Sequence, residues 1–296
     1  MKKIAIFLVF IHLPLVLLCE EEPLFSYSYW DIHPLHIGAN MIRIGKAAIH
    51  SNDDGHLYFR KNNAYINMLV PIDRTSYFIP RIEWNNFTLD WNKNPKFKET
   101  HFYYAQFSLM FYTTSLEDWR WILRADYNID LEHFAHPGTY ALFSVLAWGK
   151  YKLHKKWHYH VGTLAYAGME RNTVYPIFGI DFSPNKYWTF EAVFPITYSI
   201  QYKLDKNWQF SIQGRPLKER FRVSSRQAQP RSIFNYSSIG AELNIHYEQF
   251  LWLEIEIYAG YNFGGDFYIK NRYGKNALYT DVGGAPYGGV TFDYGF

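Results

Sequence analysis

Several stretches of this chain alternate strictly between apolar and polar residues. In Trp119–Leu131 the apolar set is Trp119, Trp121, Leu123, Ala125, Tyr127, Ile129 and Leu131, and Arg120, Ile122, Arg124, Asp126, Asn128 and Asp130 fall between them, polar but for Ile122. Thr197–Asp205, Asn207–Gln213, Ser238–Glu248 and Trp252–Phe263 repeat the pattern. The last residues close the chain the same way, with Val290, Phe292, Tyr294 and Phe296 on one face and Gly289, Thr291, Asp293 and Gly295 on the other. A period of two is the signature of a strand with one apolar face. No stretch beyond the first twenty residues reads convincingly as an amphipathic helix. Turns alternate in length as well. Short ones fall at Asp73-Arg74, Ser115–Asp118, His154–Lys156, Pro184–Lys186, Asp205-Lys206 and Glu248–Leu251. Longer, more polar connections fall at His50–Gly55, Asn92–Thr100, Glu132–Gly138 and Glu170–Thr173, with the longest at Gly214–Asn235 and Gly264–Pro286. Pro195-Ile196 is a tight exception. The pattern predicts about 12–14 strands in a closed antiparallel up-and-down transmembrane β-barrel, with both termini periplasmic. Alternation slips in Leu35–Ile49 and Leu57–Val70.

Alternation alone does not separate a membrane barrel from a β-sandwich, whose apolar faces cover each other. The N-terminus changes the balance. Lys2 and Lys3 precede the apolar run Ile4–Leu18 and the acidic Glu20, Glu21 and Glu22, as in an export signal. The expected division is a signal peptide over 1–19, a periplasmic segment over 20–34 and the barrel over 35–296. Cys19 is the single cysteine, and its surroundings match a lipoprotein box only loosely. Export without disulfides fits a bacterial envelope protein. Aromatic residues make up 20% of the chain, and Trp119, Trp157, Trp188, Trp208, Tyr261, Phe263 and Tyr294 stand at expected strand ends, where interfacial girdles sit. The expected location is the bacterial cell outer membrane.

The segment Val174–Phe296 resembles a family of uncharacterised outer-membrane β-barrels of Gram-negative bacteria, a domain of unknown function. The resemblance lies in Tyr175-Pro176-Ile177-Phe178-Gly179, Pro184-Asn185, Trp188, Phe194-Pro195, Tyr198, Tyr202, Asn207-Trp208, Gly240 with Glu242, and Ala285-Pro286-Tyr287. It implies a fold and a location, and supplies no functional residues.

Candidate chemistry follows from the polar faces. Arg120, Arg124, Asp126, Asp130, Glu191, Glu242, Glu254 and Glu256 sit opposite apolar sets, so they are expected to line a pore. Both signs are present, which allows pairing across the interior, and a salt-bridged filling is the alternative to a constriction. Phe292, Tyr294 and Phe296 are the expected assembly signal, read by the barrel assembly machinery. The basic run Arg215, Lys218, Arg220, Arg222, Arg226 and Arg231 suits outer-membrane lipids and lipopolysaccharide. Lys+Arg 30 against Asp+Glu 27 gives no reason to expect a nucleic-acid partner. His158 and His160 share a face but lack further ligands nearby, so no metal or other cofactor is expected. The expected function is a passive, porin-like channel for small polar solutes or a structural barrel, and not an enzyme. The alternative is an outer-membrane lipid hydrolase of phospholipase or lipid A deacylase type, with His246, Asn244 and Ser238 sharing one face.

Overall fold

A computed structural model describes residues 34–50, 55–92, 100–134, 136–224, 231–249, 253–273, 275 and 278–296. The expected signal peptide, all but the last residue of the expected periplasmic segment, and Arg226 lie outside the described residues. Among the described residues fourteen strands form one closed antiparallel sheet in chain order. They are β1 (Leu35–His50), β2 (Gly55–Met68, continued by Val70–Pro71), β3 (Ser76–Trp91), β4 (His101–Thr113), β5 (Trp119–Asp130), β6 (Ala141–His154) and β7 (Trp157–Gly168). Then come β8 (Arg171–Phe182), β9 (Trp188–Phe194), β10 (Thr197–Lys203), β11 (Trp208–Arg222), β12 (Ile233–Gln249) and β13 (Leu253–Lys270). The last, β14, runs as Leu278–Val282 and Ala285–Gly295. It pairs with β13 on one side and with β1 on the other, and so closes the barrel.

The two described ends of the chain meet, with Phe296 N–H donating to Leu35 C=O at 2.8 Å. The short turns lie at this same end, called here the near end. Asp73 shapes one of them by accepting from Thr75 N–H at 2.7 Å, and Asp205 another by accepting from Asn207 N–H at 2.7 Å and Trp208 N–H at 2.9 Å. These donors hold both carboxyls below the usual carboxylate range. Trp119, Trp157, Trp188 and Trp208 begin strands here and pack against Trp121, Phe182, Tyr202 and Tyr247 with ring centroids 4.3–5.1 Å apart, forming a girdle.

The outer surface carries the apolar set: Ile82, Leu109, Val145, Phe178, Ile212 and Ile257 are all exposed, as lipid-facing residues are. Toward the far end that order inverts. On β3, outward Ile82 and Trp84 give way to outward Thr88 and Asp90, while Phe87 and Leu89 turn inward and are fully buried. On β11, outward Phe210 and Ile212 give way to Lys218 and Arg220, while Leu217 and Phe221 are buried inside. On β1, Ile42, Ile44, Ala47 and Ile49 turn inward and Arg43 and Lys46 outward. A strand with lipid outside and a polar lumen inside thus becomes a strand with water outside and an apolar core inside. The far ends of β1–β4 and β11–β14 pack face to face as a small sandwich. Phe87 meets Phe221 at 4.4 Å, Phe59 meets Tyr236 at 5.5 Å and Trp91 meets Phe267 at 5.6 Å, each across the barrel.

Two expectations are corrected by this. Gly214–Asn235 and Gly264–Pro286 are not long loops. β11 runs to Arg222 and β12 starts at Ile233, while β13 runs to Lys270 and β14 starts at Leu278, because the strands continue beyond the lipid-facing zone as the sandwich. The slipped alternation of Leu35–Ile49 has a local cause, a β-bulge between Ile44 and Ala47.

Candidate functional site

The barrel holds a cavity of about 1470 Å³. It extends from Arg74, Arg120 and Lys203 at the near end to Arg171, Arg220 and Arg222 at the far end. Of the charged residues expected on the pore wall, Arg120, Arg124, Asp126, Asp130, Glu191, Glu254 and Glu256 line it. Glu242 is the exception. It points inward, but Arg215 covers it, and its side chain has no exposed surface.

These charges are held in local groups. Arg124 Nε donates to both oxygens of Asp126 at 3.0 Å, and Ser144 Oγ donates to Asp126 at 2.9 Å. Arg124 thus pairs along its own strand. Its partner is two residues on along the same strand, where period two puts both side chains on one face. Lys150 Nζ reaches Asp181 at 2.5 Å, and His160 Nε2 reaches the other oxygen at 2.9 Å. Trp148 Nε1–H donates to His160 Nδ1 at 3.0 Å, which assigns the imidazole proton to Nε2, on the side of Asp181. Glu191, directly across from Asp181 on β9, accepts from Ser199 and Gln201 at 2.9 Å each. Asn244 donates to Glu256, and His246 Nδ1 lies 3.3 Å from Glu254 Oε1. Ser238 and His246 are eight residues apart on one strand, so roughly 26 Å of rise separates them and they do not form one reacting group.

Two groups went unread in the sequence because their members come from distant segments. At the seam, His36 Nδ1 meets Asp293 Oδ1 at 2.9 Å, Tyr65 OH donates to Asp293 Oδ2 at 2.6 Å, and the Arg81 guanidinium sits 3.7 Å over the Tyr65 ring. Gly38 is required here, since a Cβ would lie 2.2 Å from the Tyr65 ring. We expect Tyr65→Phe to loosen the closure by about 1.5–3 kcal/mol, the worth of a hydrogen bond to a charged group. A urea midpoint unchanged from wild type in lipid vesicles would show that Asp293 needs only His36. The second group ties wall to wall. Lys61 of β2 reaches Glu219 of β11 at 3.0 Å, and Tyr104 OH of β4 donates to the same carboxylate at 3.1 Å.

A closed antiparallel barrel of fourteen strands, apolar outside and charged inside, defines an outer-membrane-type β-barrel protein. Residues 87–295 match the family described as Domain of unknown function (DUF6268), and the chain belongs to that family. The match starts well before Val174, so the likeness is not confined to the C-terminal two-fifths. An uncharacterised protein of Chlamydia trachomatis serovar D is 20% identical over 293 residues, covering 94% of this chain and 89% of its own. An uncharacterised protein of Chlamydia pneumoniae is 24% identical over 182 residues, 61% of this chain and 57% of its own. Among solved structures, the COG4313 outer membrane channel from Pseudomonas putida F1 superposes with a TM-score of 0.52 at 7% identity, covering 89% of this chain and 96% of that one. That likeness is one of fold.

Proposed function

We propose that the protein is a passive channel for small polar solutes in the outer membrane of a bacterial cell, with its near end and both termini in the periplasm. The observation that carries this reading is the cavity, which extends from near-end to far-end residues and is lined by ionic groups of both signs, several of them paired locally, as Arg124 with Asp126 and Lys150 with Asp181. Such a wall holds polar solutes without trapping one sign of charge. The short turns at the near end and the position of the polar-faced sandwich at the other support the orientation. Phe292 and Phe296 lie exposed on the outer face of the closing strand, where the assembly machinery would read them.

Single-channel recording on refolded protein tests the reading. The wild type is expected to conduct. Arg120 lines the near-end mouth, so Arg120→Ala is expected to move the reversal potential toward cation preference under a salt gradient. The shift should shrink in 1 M salt, where the Debye length is about 3 Å. A refolded barrel that passes no current across vesicle or planar membranes would end the channel reading.

A further inference from the structure

The barrel wall is incomplete on one side. β9 and β10 have seven residues each, at ~3.3 Å per residue and a tilt near 45°, so they climb only about 16 Å, against an apolar band of roughly 25 Å. β9 pairs with β8 only from Phe182 to Phe178, and β10 pairs with β11 only from Gln209 to Gly214. Above those points no ladder joins Arg171–Ile177 of β8 to Arg215–Arg222 of β11. Each stretch carries a proline, Pro176 and Pro216, a residue that sheets confine to edges and interruptions. An ideal Cβ on Gly214 meets nothing nearer than the Tyr198 Cβ at 3.9 Å. Arg220 closes the top of the gap by donating to the carbonyl of Met169 in the β7–β8 turn.

The cavity passes through this gap. It touches inward Thr173 and Tyr175 of β8 but also outward Asn172, and inward Arg215 of β11 but also outward Pro216 and Lys218. Beyond the gap the cavity continues over the outer face of β12–β14, at Asn235, Ser237, Asp266, Tyr268, Lys270 and Tyr279. Meanwhile the sandwich fills the straight path through the half of the far end formed by β1–β4 and β11–β14. Beside that filled half the gap gives the lumen a sideways exit. On the β8 side the gap is flanked by exposed, apolar Val174 and Phe178 at lipid height, and Val193 and Ile196 are apolar at its lower lip. Its upper rim holds Arg171, Lys218 and Arg220 with the single carboxylate Glu170 among them, a net cationic set. Apolar below and cationic above is the order of an amphiphile with an anionic headgroup, standing in a leaflet.

We infer that the gap between β8 and β11, above the β9–β10 hairpin, is a lateral window through which the lumen exchanges anionic amphiphiles with the adjoining leaflet. This rests on the reading of the chain as an outer-membrane barrel, but not on its conducting ions. The test uses single cysteines in the full chain with Cys19→Ser, each carrying a bimane fluorophore, in phosphatidylcholine vesicles. Ile212→Cys should be quenched by brominated lipid tails alone, and Ser211→Cys, inside the complete wall, by aqueous iodide alone. Thr173→Cys points inward, yet it should be quenched by both. Brominated phosphatidylglycerol should quench it several-fold more than brominated phosphatidylcholine at equal mole fraction. Lys218→Gln should reduce that preference while Arg220 still closes the top, and Lys218→Gln with Arg220→Gln should abolish it. Iodide quenching alone at Thr173 would overturn the window. Equal quenching by the two lipids, or loss of lipid quenching on adding inorganic phosphate, would overturn the assignment to an anionic amphiphile. Current without lipid quenching ends this inference and keeps the channel; lipid quenching without current does the reverse.

Discussion

Phe221→Ala is expected to raise single-channel conductance and to destabilise the barrel by about 3–5 kcal/mol, the range for removing a buried aromatic side chain. Phe221 is 3% exposed and lies 4.4 Å from Phe87, 4.7 Å from Phe102 and 5.3 Å from Tyr104, all on the opposite wall. Its removal takes the centre out of the contact that holds the two far-end sheets together. Water then replaces the ring, and a straight exit opens beside the existing one. The checks are the urea midpoint in vesicles and the unitary current. A large stability loss with unchanged current would mean that Phe221 only holds the sandwich together and blocks nothing.

The second large effect is expected at Arg215. Its Nε lies 2.6 Å from one oxygen of Glu242 and its terminal nitrogen 2.8 Å from the other, and its guanidinium sits 4.3 Å over the Tyr258 ring. Gln213 also donates to that carboxylate. Arg215→Met would leave Glu242 buried without its cation, a change that typically costs about 3–5 kcal/mol. Removing both partners, as Arg215→Met with Glu242→Leu, should recover most of the loss, because an apolar pair of similar volume replaces two desolvated charges. Additive single losses in that double variant would show that the two residues act separately.

The near half of this molecule was legible from alternation because lipid and lumen impose opposite chemistry on neighbouring residues, as Arg120 to Asp130 display. Strand number followed from turn spacing for the same reason. The far half was not, because period-two reasoning assumes one environment per strand. Leu217 and Phe221 are apolar in the opposite phase to Phe210 and Ile212, and a phase change in a stretch rich in arginine reads as a loop. In β3 the change was visible, with Ile82 and Trp84 followed by Phe87, Leu89 and Trp91, and two asparagines at the crossover. Ion pairs between segments far apart, such as Lys61 with Glu219, depend on register and curvature that no local pattern contains. The gap in the wall was half legible. The tight Pro195-Ile196 connection stood out, but its consequence needed the pairing of β8 and β11.

The inversion of apolar phase also acts as a depth gauge. Each of β1, β3 and β11 carries its own mark for where the apolar outer face ends, near Arg43, Asn86 and Gly214. The ladder is continuous through those marks, so the two zones do not slide independently. In a thinner bilayer the barrel must tilt or pull the surface inward at a modest cost per ångström of mismatch. The mark on β11 stands at the foot of the gap while β8 stays apolar outside as far as Val174, so such a tilt would change how far the inferred window dips into the leaflet. Membrane thickness would thereby set the size of the inferred doorway.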